Sequence, residues 1–267
     1  MPVPEGIDAG RVPAHVAWAL SHDDRVGRAA VGRTGVGRGA VSRAADGRHD
    51  DRRATGADGR TALLEVVDGA LALGVSWLTV YAVSADDRTG SPGDAGRWPA
   101  WCEAFVADGP AALVGRGVRF RVAGRRAADP ATNGGPAGLD ELVERTAGGA
   151  RLTLTLAVDY DGRAEIVDAI AALAAAGTRP RRVDEAAIAR HLYHPDMPDP
   201  DLVVRTSGER RVSDLLLWEV AYSELVVVDA PWPDVRRRDF YDAVVEYQQR
   251  DRRYGGLDPA ADGGDLR

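Results

Sequence analysis

The residues of this chain that can do chemistry gather in three polar runs, each directly behind an apolar segment. The first is Ser21-His22-Asp23-Asp24-Arg25 and the second is Ser84-Ala85-Asp86-Asp87-Arg88. The third is Arg205-Thr206-Ser207-Gly208-Glu209-Arg210-Arg211-Val212-Ser213. In the third, Arg205, Arg211 and Ser213 can converge as donors, and Gly208 lets backbone approach a ligand closely. A planar guanidinium grips phosphate oxygens in pairs and stays charged at any working pH. A diphosphate is therefore the ligand class this run predicts. A solvated loop with local ion pairs is the competing reading. Asp23, Asp24 and Asp87 offer carboxylates for a metal ion or a proton transfer. His22 adds a group whose pKa can lie near working pH, or it is a solvated loop residue.

These runs need elements that bring them to one place. Val12 to Leu20 is apolar and reads as a first strand. Residues 31–53 show no sustained apolar periodicity, which predicts a flexible insert. Thr61 to Leu73 carries Leu63, Val66, Val67, Ala70 and Leu71 at helical spacing, and Gly74 stops it. Val75 to Val83 is β-branched and apolar, a buried strand. The alternation continues with a helix over Trp98–Val114, a strand over Val118–Val122, a helix over Leu139–Thr146 and a strand over Leu152–Val158. Helices over Ala164–Ala176 and Glu185–Leu192 follow, then a strand over Leu202–Arg205. An apolar helix over Leu215–Tyr222, a strand over Leu225–Val228 and a helix over Arg238–Arg252 complete the pattern. The fold class is α/β: a single domain with a central, mostly parallel β-sheet flanked by helices. Its expected extent is 13–256, between an N-terminal tail over 1–12 and a disordered Gly/Asp-rich tail over 257–267. In such sheets ligands bind beyond the carboxyl ends of the strands, where all three polar runs fall.

Composition removes several alternatives. The chain has 267 residues and a formal net charge of -7, and all 34 of its cations are arginine. Without lysine, Schiff-base and P-loop lysine chemistry are excluded. The acidic balance argues against nucleic acid as a partner. Cys102 is the single cysteine, so no internal disulfide forms. No apolar run approaches the ~20 residues of a membrane span, and the start of the chain has no apolar leader. A cytoplasmic protein is the expectation. The exclusive use of arginine resembles GC-rich coding bias, so single arginines are weak functional evidence.

The residues from Arg205 onward resemble the signature of the cis-prenyltransferases, the family of undecaprenyl diphosphate synthase. The resemblance runs through Arg205-Thr206-Ser207-Gly208-Glu209, Arg211, Ser213, Leu216-Leu217-Trp218, Ala221-Tyr222, Glu224 and Trp232-Pro233-Asp234 to Arg252-Arg253-Tyr254-Gly255-Gly256. Upstream, His15-Val16-Ala17, Leu78 to Ser84, Leu152-Thr153-Leu154, Tyr160-Asp161-Gly162-Arg163 and His191-Leu192-Tyr193 also fit. The resemblance implies a cis-prenyltransferase-like domain, usually a homodimer. Its expected partners are isopentenyl diphosphate and an allylic diphosphate, condensed with the help of Mg2+ to leave a cis double bond. It assigns Arg205, Arg211, Val212 and Ser213 to isopentenyl diphosphate, Arg25 and Ser84 to the allylic diphosphate, and Glu224 to the metal.

The chain departs from the family on the allylic side. Where the family's first strand ends in Asp-Gly-Asn-Gly-Arg-Trp, this chain has Ser21-His22-Asp23-Asp24-Arg25-Val26. Ser21 replaces the catalytic, metal-binding Asp, and His22 and Asp24 replace the loop glycines. In the family's Gly-His-x-Ala-Gly motif, Gly56 stands for the His and Gly59 is retained. Asp87 replaces the Asn of the second loop. Ser21 cannot neutralise a divalent ion, which leaves Asp23 or Asp24, with Glu224, as metal ligands. Asp87, Asp23, Asp24 and His22 are the candidate catalytic groups. Two functions follow. One is a divergent prenyl diphosphate synthase giving short, branched or cyclised products. The other is a partner without turnover: a subunit of a heteromer with a complete homologue, or a diphosphate-binding protein.

Overall fold

Val16, Trp18 and Leu20 pack into one hydrophobic cluster while Ala17 and Ala19, between them, pack into another. Side chains alternate along a strand, so a strand apolar at every position is covered on both faces. β1 (His15–Ala19) is such a strand, buried throughout. The computed structural model describes residues 4–21, 56–84, 100–124, 138–212 and 214–250, with backbone only at 56–58, 83, 84 and 100. The remaining strands are β2 (Trp77–Ser84), β3 (Val118–Ala123), β4 (Leu152–Tyr160), β5 (Leu202–Arg205) and β6 (Glu224–Val227). They form one six-stranded sheet in the order β3-β4-β2-β1-β5-β6, and every pairing is parallel.

The helices are α1 (Gly56–Leu73), α2 (Ala100–Val114), α3 (Leu139–Thr146), α4 (Gly162–Ala175), α5 (Glu185–Ala189) and α6 (Arg237–Gln248). On the larger cluster, α1 packs against α2, α6 and a short 3-10 turn at Trp232–Asp234. The aromatic centre of that cluster links the layers. Trp18 lies 5.9 Å from Trp232 and 6.3 Å from Phe240, and Trp101 lies 5.9 Å from Trp232. Trp101 is therefore a core residue, and Gly59 shows why α1 carries a glycine in its interior. A Cβ there would meet the Trp101 side chain at 2.6–3.0 Å. Gly59→Ala is expected to destabilise the protein by about 1–3 kcal/mol, because overpacking outweighs the better helix propensity of alanine. Urea unfolding measures this; a variant as stable as the parent would refute the contact.

The second face is thinner and more polar beneath. Tyr81 and Tyr160 meet edge to face at 5.9 Å, and the Tyr160 hydroxyl donates to Glu165 of α4. Glu165 also accepts the Tyr193 N–H at 2.8 Å, and the Tyr193 hydroxyl donates to Asp168 at 2.7 Å. Burial raises the pKa of Glu165, and burial with the neighbouring Glu165 pushes Glu219 up to about 8. His15 is fully buried between the Pro198 carbonyl (Nδ1, 2.7 Å) and the Thr79 hydroxyl (Nε2, 2.9 Å). A carbonyl only accepts, so Nδ1 carries the proton, and burial holds the ring near pKa 4, neutral at working pH.

Most elements fall where the periodicity predicts, with one correction of type. The apolar run Leu215–Tyr222 is not an α-helix: turns over its first half lead into a 3-10 helix, Glu219–Tyr222. Leu216 takes a positive φ of 48°, which interrupts the α-helical course. The last helix ends at Gln248, short of the predicted Arg252. The predicted insert over 31–53 and the tail over 257–267 lie outside the described residues.

Candidate active site

The strand order turns at β1. β2 lies on one side of it, and β5 with β6 lies on the other. In open parallel sheets such a switch point leaves a crevice beyond the carboxyl ends, where ligands bind. Arg205 is the last residue of β5 and aligns with Ala19, the last residue of β1. Its guanidinium crosses the crevice floor: Nη1 donates to the carbonyls of Ala19 (3.0 Å) and Leu20 (3.3 Å). A second contact stitches the same two ends, the Ser21 N–H donating to Thr206 Oγ1 at 2.9 Å. Ser21, Arg205 and Thr206 are all buried.

Behind Thr206 the chain turns sharply. Ser207 (φ 59°) and Gly208 (φ 67°) are consecutive left-handed residues, a conformation that glycine adopts without strain. The Ser207 N–H donates to the Ala230 carbonyl (3.1 Å) and the Gly208 N–H to the Val228 carbonyl (3.0 Å). Gly208 thus shapes the turn, and its N–H is committed to Val228.

The turn delivers Glu209 back to Arg205. Nη2 of Arg205 donates to Glu209 Oε2 at 2.5 Å, and Arg211 Nη2 reaches the two Glu209 oxygens at 3.2 and 3.3 Å. The Arg205 side chain is 3% exposed, Glu209 15% and Arg211 81%. Two guanidiniums therefore share one carboxylate. The exposed Arg211 guanidinium offers a planar fork to an anion with several oxygens. Glu209 and Thr206 are the site residues that sequence reasoning passed over. A carboxylate flanked by arginines at four residues before and two after was the available signal.

The other predicted site residues separate into two groups. Val212 is exposed, beside Arg211. Ser84 ends β2 at the carboxyl edge of the sheet. His22, Asp23, Asp24, Arg25, Asp87 and Ser213 lie outside the described residues. Glu224 stands apart. It opens β6 in register with Leu202, at the amino end of β5, about 10 Å along the strand from Arg205. There it accepts from Arg250 Nη1 at 3.1 Å. The fold does not bring Glu224 to the crevice of its own chain, because the parallel crossover from β5 to β6 starts the new strand at the opposite sheet edge. His191 and His194 each bond a backbone carbonyl, as structural histidines do. Among the described residues, no group of three His, Cys, Asp or Glu side chains is arranged to hold a metal ion. No helix among them is long and apolar enough to cross a membrane.

Comparison with known proteins gives the same fold and a family. A probable undecaprenyl diphosphate synthase from Campylobacter jejuni matches with a TM-score of 0.68 at 18% identity, over 91% of this chain and 98% of that one. Lavandulyl diphosphate synthase from Lavandula x intermedia, solved with dimethylallyl diphosphate, matches with a TM-score of 0.71 at 24% identity, over 92% and 99%. By sequence, a trans,polycis-polyprenyl diphosphate synthase, (2Z,6E)-farnesyl diphosphate specific, of Thermobifida fusca is 45% identical over 205 residues, 75% of this chain and 72% of the relative. Isoprenyl transferase 2 of Bradyrhizobium diazoefficiens is 36% identical over 260 residues, 96% and 95% of the two chains. The family model for undecaprenyl diphosphate synthase matches residues 41–255, beginning beyond β1. A parallel sheet with an arginine-bearing switch point, a motif-rich loop behind β5 and a match over most of the chain place this protein in the cis-prenyltransferase family of transferases, the undecaprenyl diphosphate synthases and their relatives.

Proposed function

We propose that the protein is a prenyl diphosphate synthase that joins isopentenyl diphosphate, or a second five-carbon unit, to a short allylic diphosphate. The observation that carries this is the buried Arg205 at the β1–β5 crevice, coupled through Glu209 to the exposed Arg211. Arg205 and Arg211, with Ser213 and the adjoining Val212, hold the diphosphate of the five-carbon acceptor, and Arg25 and Ser84 receive the allylic diphosphate. In the condensation the allylic C–O bond breaks, pyrophosphate leaves, a carbon–carbon bond forms and one proton is lost. The guanidiniums fix one substrate by its diphosphate so that its double bond lies over the reacting carbon. Asp87, Asp23, Asp24 and His22 are the proposed groups for the proton and for charge control. Relatives of this class generally use a metal ion. The described residues do not by themselves fit one, so Mg2+ would rest on Asp23 and Asp24 in the sequence. Because Ser21 is neutral, buried and tied to Thr206, the allylic side differs from the family pattern. This favours short, branched or cyclised products, and the likeness to the family adds the proposal of a cytoplasmic homodimer.

The same Ser21 also supports a second reading, a subunit or diphosphate-binding protein without turnover, acting beside a complete homologue. One experiment separates the two. The purified protein is incubated with Mg2+, isopentenyl diphosphate and dimethylallyl, geranyl or farnesyl diphosphate, and with dimethylallyl diphosphate alone, and products are read by mass spectrometry. The synthase reading expects a short prenyl product. Arg211→Ala should raise KM for isopentenyl diphosphate about 10–100-fold, the loss of a charged hydrogen bond. No product with any donor, alongside measurable isopentenyl diphosphate binding, would establish the second reading.

A further inference from the structure

We propose that Glu209 is a resident anion of the diphosphate site: it anchors Arg205 and competes with the incoming diphosphate for Arg211. The inference rests on the reading of Arg205 and Arg211 as the diphosphate site. It comes from the asymmetry of the two contacts. Toward Arg205 the carboxylate makes a short bond of 2.5 Å to a side chain that is 3% exposed. Toward Arg211 the bonds are 3.2 and 3.3 Å, and that side chain is 81% exposed. A buried charge left without its partner is strongly unfavourable, so Glu209 stays on Arg205. An exposed ion pair of long geometry is weak, so Arg211 is the partner that leaves. Glu209 thus occupies the exposed fork that a diphosphate would take. Its negative charge remains beside the ligand afterwards. Glu209 is a positioning residue for Arg205 and an internal competitor at Arg211.

The test is a binding cycle with inorganic pyrophosphate as the probe, followed by calorimetry on the full chain at fixed low salt. Glu209→Gln keeps the shape and an acceptor oxygen for Arg205 but removes the competing charge. It is expected to bind pyrophosphate about fivefold more tightly, the factor that about 1 kcal/mol represents. The gain is expected to vanish in the Arg211→Ala background, because the competition runs through Arg211. Glu209→Asp retains charge and should show no gain. A merely structural Glu209 would give the opposite pattern: weaker binding in Glu209→Gln, by the same factor with or without Arg211, which overturns the proposal. Unchanged binding in a folded Glu209→Gln, checked by thermal unfolding, overturns it too. If the parent does not bind pyrophosphate, or binds it equally well after Arg211→Ala, the site reading itself fails.

Discussion

Arg205→Met is expected to lower the unfolding free energy by about 3–5 kcal/mol and to abolish saturable binding of isopentenyl diphosphate. Arg205 is 2% exposed and does two structural jobs at once. Its Nη1 satisfies the carbonyls of Ala19 and Leu20, which end β1, and its Nη2 neutralises Glu209. Methionine fills the volume but offers no donor. The Ala19 and Leu20 carbonyls would then lose their donor, and Glu209, 15% exposed, would keep only its long bonds to Arg211. Arg205→Lys should lie between the two, because one ammonium cannot span both sets of acceptors in the fork geometry of arginine. The double variant Arg205→Met/Glu209→Met separates fold from function. It should recover part of the lost stability, since no buried carboxylate is left short of a partner, without recovering binding. Urea unfolding followed by titration with isopentenyl diphosphate reads both quantities. An Arg205→Met protein within 1 kcal/mol of the parent would show that the crevice floor is held by other contacts.

Glu219→Gln is expected to stabilise the protein increasingly as pH rises. Burial, reinforced by Glu165 and Asp199, holds the folded-state pKa of Glu219 near 8, against 4.5 for a free glutamate. Oε2 of Glu219 has no hydrogen-bond partner among the described residues. Below pH 4.5 both folded and unfolded chains carry the proton, and the full stability is present. Between 4.5 and about 8 the unfolded chain releases the proton while the folded chain retains it. Stability therefore falls as pH rises, by about 1.4 kcal/mol per unit at most, and levels off above 8. Glutamine cannot ionise, so the variant loses this slope. The stability difference between variant and parent should grow through that window, read by urea denaturation at several pH values. Glu165, raised in the same direction by burial, is coupled to Glu219, so the pH-dependent difference reports the pair rather than Glu219 alone. A difference independent of pH would refute the buried-acid assignment.

The sequence was informative where a local pattern has one physical outcome. β5 begins and ends at the predicted residues because a short apolar run leaves little freedom of register, and α3 does so because Leu139, Leu142 and Thr146 recur at helical spacing on its buried face. The strand–helix alternation gave a parallel sheet, and the sheet proved parallel throughout. It failed at Leu215–Tyr222, where an apolar run of helical character is folded back by the positive φ of Leu216. Apolarity marks burial there without marking conformation. Gly208 shows the same limit, since glycine serves a turn and a ligand contact equally well in sequence.

Fold class, family and the inventory of guanidiniums and carboxylates behind the strands were legible in the order of residues alone. These follow from periodicity and motif, properties of neighbouring residues. Which of those groups meet depends on the pairing and register of the strands. Arg205 reaches the end of β1 across 185 residues of chain because β5 pairs with β1 in parallel register. Glu224, only 19 positions beyond Arg205 in sequence, lies at the other end of the sheet and bonds Arg250. The physical reason is the parallel crossover: each strand must begin at the same edge, so closeness along the chain gives no closeness at the carboxyl ends.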